Sequence, residues 1–598
     1  MLAVPVHFQA GDSGQEVVAD MELLAQPPYQ KNTLYGGPVG FNLPMDHHPS
    51  GTRPFAGALF PTRLENPLKS QLLNLAHDHN SDLATAILVA WIIVLSRLSG
   101  QESIHLDVGN IDEAGTLMIP ASLNVGVSAE LDTTQLFERV KLALGTTEAR
   151  RYAVDIPVKT LKNDEEPPLS QAGFYSHTSA FVQSLRNPVS LQCCLELHLL
   201  QDRENVTMTV CYAADLYNRD TIQRYAGYIQ AVVMNMVTGE SRPVASFDIL
   251  SKAERKLLIE TWNETDAEYP SERCIHHLFA DQVESSPDAV AIVHDEKELT
   301  YLELDAMANR LARQLDQAGV KPGDFVALLF ERCIELVVTE LAILKTGAAY
   351  VPIDTRAPAD RVAYIVSDTG ATLLVTKEGM NISDQVTASA IRFNIDMEDL
   401  RNELDWPRDS SYSSATSLDA AYVMFTSGTT GVPKGVVVPH RAAIRAVINN
   451  GFTDIGPEDR VAFASSPSFI PSVFDVWSAL LNGARVVIVD DDIKLDANRL
   501  AGTLVRYNVT CLYITTPLLL QYGPIIGKTL SQLKYLLVGG EQVQVKALTT
   551  VLKHGGPVRL INRYGSTETL SAVTHTAAHT VNQLDQPPIG RPSSNGRV

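Results

Sequence analysis

Apolar positions along the chain fall into two kinds of run. ATAILVAWIIVL, from Ala84 to Leu95, is apolar on nearly every side and has Ser81 and Asp82 ahead of it as cap chemistry, so it predicts a helix buried inside a layer. VTMTVCYA, Val206 to Ala213, predicts a strand, and up to about Arg242 helical and short β-like stretches mix as α+β material. Beyond about residue 250 the runs FVALLF, YVPI, TLLVT, RVVIVD and CLYIT are short and continuously apolar, with amphipathic stretches between them. That pattern predicts parallel strands joined by crossover helices, an α/β layout. SKAERKLLIETWNETDAEYP, a charged helical piece followed by polar turns, reads as a connection. The expected organisation is one domain over 1–242, a linker over 243–270 and a second domain over 271–598. The Ser-rich RDSSYSSATS, Arg408 to Ser417, predicts a surface loop, and no internal repeat is found.

Length and charge narrow the classes. A chain of 598 residues exceeds one ordinary core, so a multi-domain protein is expected. With 48 basic against 69 acidic side chains the net charge is −21, which disfavours nucleic acid and anionic membranes as partners. The run Ala84–Leu95 is also too short for a bilayer span, which needs about 20 apolar residues. The start, MLAVPVHFQAGDSGQE, lacks a basic stretch leading into an apolar one, so no secretory signal is read and a cytoplasmic location is expected. The 6 cysteines are too few for a disulfide scaffold, and Cys193-Cys194 are adjacent rather than spaced as C-x-x-C, which predicts buried thiols.

The segment richest in chemistry is Tyr422–His440, YVMFTSGTTGVPKGVVVPH: an apolar strand, a loop dense in Ser, Thr and Gly, then a second apolar strand. Glycines let backbone N–H groups approach an anion, the hydroxyls of Thr426, Ser427, Thr429 and Thr430 donate, and Lys434 adds a point charge for a polyphosphate. It does not fit the G-x-x-x-x-G-K-[ST] phosphate loop, and the same composition also fits a solvated hairpin.

FTSGTTGVPKG resembles the signature loop of adenylate-forming enzymes. LTYLELDAMANRLARQL and LKTGAAYVPID before it, and LLVGGEQV, NRYGSTET and PIGRP after it, stand in the right order and resemble the adenylation-domain motifs of nonribosomal peptide synthetases, across residues 250–598. The resemblance implies ATP and Mg²⁺ as ligands. Thr426, Ser427, Gly428, Thr429, Thr430, Gly431 and Lys434 would hold the β- and γ-phosphates. Gly540, Glu541, Asn562, Tyr564, Gly565 and Thr567 would surround the nucleotide, with Tyr564 stacked on adenine, although a core aromatic is its ordinary alternative. Glu568 would hold Mg²⁺, against the alternative of a surface carboxylate.

Residues 1–242 resemble the second half of a condensation domain, with a chloramphenicol-acetyltransferase-like fold, through YQKNTLYGGPVGFNLPMD, LSRLSGQESIHLDVGN and VTMTVCYAADLYNRDTIQRYAGYIQ. The general base of that family sits in HHxxxDG. His47-His48 is followed by PSGTR and falls where the family has a linker, so it is read as a decoy. No condensation is expected from this half, and a scaffolding role is.

Two departures shape the expected function. Amino-acid-activating members pair the substrate α-ammonium with an Asp at a helix start, whereas VFDVWSALLNGARVV places Ile470 at that position with Pro471 beside it. An aliphatic residue cannot neutralise a buried ammonium, so the acid is expected to lack a standard α-amine. The matching pocket positions are Ile470, Pro471, Phe474, Thr515 and Leu537, continuing with Gly539, Arg563, Ser571 and Ala572: an apolar cup with one cation. A one-turn shift that brings in Asp475 is the alternative. The second departure is the end, PIGRPSSNGRV, which precedes the family's ribose-binding Asp and the small lobe with its catalytic Lys, so a truncated adenylation domain is expected with no certain catalytic residue of its own. A phosphopantetheine carrier domain is likewise outside this chain.

The combination resembles the lysergic-acid-activating subunit of fungal ergot peptide synthetases, which implies alkaloid or other secondary-metabolite biosynthesis. The implied partners are a carboxylic-acid substrate and another synthetase subunit or carrier domain. An inactive pseudoenzyme and an aryl- or acyl-CoA ligase remain the alternatives.

Overall fold

The computed structural model describes residues 43–47, 57–111, 117–149, 172–177, 193–201, 206–238, 242–377, 390–402, 414–426, 432–570, 573–577 and 587–598. The chain divides into two units, Met1–Leu250 and Ser251–Val598.

In the first unit a mixed sheet runs in the order Gly57–Arg63, Val206–Ala213, Leu195–Gln201, Ala172–His177, Ser103–Ile111, Leu117–Gly126. The helix Leu83–Ser99 supplies its core, with Leu83 and every residue from Ala86 to Leu95 buried. Asp82 caps it by accepting from the Thr85 N–H at 2.8 Å, and Gly100 ends it in the left-handed region at φ 68°, where a Cβ would be strained. The buried indole of Trp91 donates to the Gly173 carbonyl at 3.2 Å, which spares the interior an unpaired N–H. His47 meets the Asn218 side chain at 3.2 Å, and Asp46 caps the helix that follows by accepting from the Asn218 N–H at 2.7 Å. His48 and Gly11–Gly14, whose GDSG only poorly imitates a phosphopantetheine site, lie outside the described residues.

The second unit holds two sheets. One runs Ile391–Ile395, Leu373–Lys377, Phe325–Leu329, Ala349–Ile353, Ala420–Thr426, Lys434–Pro439, parallel until the last pair, which is antiparallel. The other runs Arg591–Pro592, Val573–Ala577, Arg559–Tyr564, Tyr535–Gly539, Cys511–Thr515, Arg460–Phe463, Arg485–Ile488, Val290–His294, Lys297–Thr300. From Arg559–Tyr564 to Val290–His294 its strands are parallel. The apolar runs of the sequence correspond to Phe325–Leu329, Ala349–Ile353, Leu373–Lys377, Arg485–Ile488 and Cys511–Thr515, and both faces of such strands must be covered. Helix Ile334–Thr346 is correspondingly buried almost throughout, and Trp477 of helix Pro471–Leu480 donates to the Tyr350 hydroxyl at 3.1 Å.

Polar residues of the connector-like stretch have fixed partners within this unit. The Asn263 amide donates to the Val598 carbonyl at 3.2 Å and accepts from the Val598 N–H at 2.8 Å. Asn595 pairs in the same two-way manner with the backbone of Ala267, at 3.0 and 2.8 Å.

A candidate acid- and nucleotide-binding cleft

Parallel strands leave their carboxyl ends open to ligands, since the crossover helices begin there with unpaired N–H groups. At that end of the second sheet lies a cleft of about 850 Å³, lined by Ser465, Ile470, Pro471, Tyr513, Thr515, Gly540, Arg563 and Gly565–Glu568 among others. The hairpin of the first sheet closes against it. Its last register pair is Thr426 with Lys434, and both line the cleft. Gly435 permits that closure, because a Cβ there would stand 3.1 Å from the side chains of Phe425 and Val423. Ser427, Gly428, Thr429, Thr430 and Gly431 lie outside the described residues.

Across from the hairpin, Gly565 to Glu568 form a turn tied by the Ser566 N–H donating to the Thr569 hydroxyl at 3.0 Å. Glu568 is exposed, and the Ser566 hydroxyl beside it holds its carboxyl below the usual range, so it is anionic at neutral pH. An exposed carboxylate at the cleft suits a hard cation. Gly540 follows its strand and lines the cleft, with φ 92°, a left-handed turn that favours glycine. Thr516 donates to the Glu541 carbonyl at 3.4 Å, and the buried Asn562 amide donates to the Pro588 carbonyl at 2.9 Å. Tyr564 ends its strand 56% exposed, open to a flat partner, whereas Glu541, Asn562 and Tyr564 do not line the cleft itself.

The end of the cleft expected from the sequence to take the acid is built on the start of helix Pro471–Leu480. Pro471 occupies the first turn, where its missing N–H costs no hydrogen bond, and Ile470 precedes it as the cap residue. Asp475, one turn on, is fully buried and does not line the cleft. Its Oδ2 accepts from the N–H groups of Ala464 and Ser465 at 3.3 and 3.0 Å, and burial pushes its carboxyl up to about 6. Arg563 forms part of the wall, with its guanidinium over the rings of Phe474, Phe452 and Tyr513 at 5.2, 5.9 and 5.9 Å. Phe474 thus backs the arginine, and Leu537 belongs to the hydrophobic core. Gly539 has to be glycine: a Cβ would lie 2.5 Å from the Arg563 carbonyl and 2.6 Å from the Tyr513 hydroxyl. Ser571 and Ala572 lie outside the described residues.

Lys494, Ser465 and Tyr513 also line the cleft and were not read from the sequence. Tyr513 had a signal, since alternation along CLYIT puts it on the face of Thr515. Lys494 sits behind three aspartates in VDDDIKLD, a text that reads as a solvated charge run. In the fold, burial lowers its pKa and Asp475 is among the charges it feels.

Elsewhere, Cys274, His276 and His440 bring ligand atoms within 4.8 Å of one another. The Nδ1 of His440 accepts from the Ile275 N–H at 3.2 Å, so the neutral ring carries its proton on Nε2 and offers no lone pair there. This group is core packing.

The pattern of the AMP-binding enzyme family matches residues 279–598. Malpibaldin synthetase of Mortierella alpina is 44% identical over 534 residues, covering 89% of this chain and 10% of that protein. Malpinin synthetase of the same organism is 32% identical over 586 residues, covering 93% of this chain and 8% of its own length. The chain therefore spans about a tenth of the length of these relatives. A solved four-domain nonribosomal peptide synthetase bound to AMP and glycine shares the fold, with a TM-score of 0.76 at 20% identity over 92% of this chain and 43% of that one.

Proposed function

This chain belongs to the AMP-binding enzyme family, and from that premise we propose that its cleft binds ATP and a carboxylic acid and joins them as an acyl adenylate. The observation that carries this is a single cleft onto which the hairpin pair Thr426 and Lys434, the turn Gly565–Glu568 and the helix start Ile470–Pro471 all open. A carboxylate oxygen attacks the α-phosphorus, the bond to the α,β-bridging oxygen breaks, and pyrophosphate departs with that electron pair. The protein's part is to position and to meet developing charge. Lys434 supplies a cation to the phosphates and Thr426 a hydroxyl donor, while the open face of Tyr564 suits adenine. Glu568 is the residue to hold Mg²⁺, which when bound would neutralise phosphate charge.

The acid we infer lacks an α-ammonium, because Ile470 offers that group no counter-ion and Asp475 is bound to backbone. Aryl, hydroxy and polycyclic acids fall in this class, D-lysergic acid among them. Transfer to a phosphopantetheine thiol of a carrier domain, as part of a peptide synthetase, is the onward step this reading implies. We read residues 1–242 as the second half of a condensation-type fold serving as scaffold. The malpinin synthetase alignment supports a synthetase origin for this half, since 93% of the chain cannot fit within residues 279–598.

Calorimetric titration of the chain with ATP and with AMP tests the reading. Both should bind, and Lys434→Ala should weaken ATP about tenfold while leaving AMP within about twofold. Absence of heat from both nucleotides on the unmodified chain sinks it.

A further inference from the structure

Arg563 is 6% exposed, and its Nη1 is buried without a hydrogen-bond partner. Among the described residues it forms no ion pair. Three aromatic rings hold its plane and offset part of the cost of its burial, yet rings do not use its N–H donors. Asp475 is a carboxylate whose charge Arg563 feels, but its Oδ2 is committed to the Ala464 and Ser465 N–H groups, and its Oδ1, buried without a partner, makes no hydrogen bond to the guanidinium.

The charges lining the cleft are uneven. Lys434, Lys494 and Arg563 stand against Glu568 alone. Lys434 and Glu568 belong to the hairpin and the turn, so the acid end is left with cations and no lining carboxylate. Opposite stands Ile470, which can only exclude water.

On the reading that this cleft binds ATP and an acid, we propose that the acid carries a second anionic group, a carboxylate remote from the one adenylated, and that Arg563 receives it. A planar guanidinium with donors waiting matches a carboxylate in two parallel hydrogen bonds. A buried donor left unpaired by a methyl in the same place is what makes such a site selective. The same field repels an ammonium, which agrees with Ile470. It narrows the substrate class away from D-lysergic acid, whose ring amine is a cation at neutral pH.

Titration of the full chain, with ATP present, uses three pairs in which a methyl replaces the second carboxylate: isophthalate with m-toluate, terephthalate with p-toluate, glutarate with valerate. At least one diacid should bind tenfold or more tightly than its partner. Arg563→Met should erase that preference and Arg563→Lys keep part of it, both compared at saturating ATP. A preference below tenfold in every pair, or one that survives Arg563→Met, overturns the proposal. The pairs on unmodified protein decide it even if the variants fail to fold. ATP binding without diacid preference defeats this inference alone, whereas absent ATP binding defeats the proposed function as well.

Discussion

Ile470 and Asp475 sit on the same helix start and meet opposite surroundings. The aliphatic side chain faces the cleft, and the carboxylate is turned to the backbone of Ala464 and Ser465, with its Oδ1 unpaired and buried. Ile470→Asp would put a carboxylate where the inferred acid has no charge to meet. Binding of a neutral amino acid in the presence of ATP should strengthen about tenfold, roughly the worth of one charge-assisted contact, and a simple monoacid should weaken. Equal affinities before and after the change, in a variant that still binds ATP, would mean that position 470 does not face the substrate. This residue was legible because the apolar helix VFDVWSALL fixes its phase against a recognisable motif. Lys494 was not, because burial beside Asp475 is a tertiary fact that its aspartate-rich neighbours conceal.

Among the elements, helix Ile334–Thr346 shows what burial on all sides requires. Its interior includes Glu340, 4% exposed, and desolvation pushes that carboxyl up to about 8. Below its ordinary value of 4.5, folded and unfolded chains both hold it protonated. As pH rises the unfolded chain ionises first, so stability drains away from about pH 4.5 up to about pH 8. Glu340→Gln fixes the neutral form and should raise stability by roughly 1–3 kcal/mol at pH 8 and by much less at pH 5. Urea denaturation at the two values reads this directly, and a gain equal at both would show that ionisation is not the cause. The most apolar strands, such as Phe325–Leu329 and Cys511–Thr515, were legible as runs, and so was the strand–loop–strand text of Tyr422–His440. That its two strands pair as a hairpin was within reach of the local text, but that the hairpin brings Thr426 and Lys434 to a cleft of the other sheet is a tertiary fact that no local pattern encodes.

Across the whole molecule, separate cores in the two units rather than one shared core set the response to ligand. The core built around Ala86–Leu95 lies in the first unit, and the cores under the two sheets of the second unit share no residue with it. The cysteines divide the same way and all are buried: Cys193, Cys194 and Cys211 in the first unit, Cys274, Cys333 and Cys511 in the second. Composition alone led to buried thiols, while their even division needed the fold. A ligand that binds only the folded cleft stabilises the unit that contains it, by about 2.7 kcal/mol at a hundredfold excess over its dissociation constant. Pulse alkylation across a urea series, with peptides read by mass spectrometry, should therefore show ATP delaying exposure of Cys274, Cys333 and Cys511 to higher urea. Cys193, Cys194 and Cys211 should label at the same urea with or without ATP. A common shift of all the thiols would mean that the two units unfold as one, and a shift confined to the first unit would place the nucleotide outside the cleft.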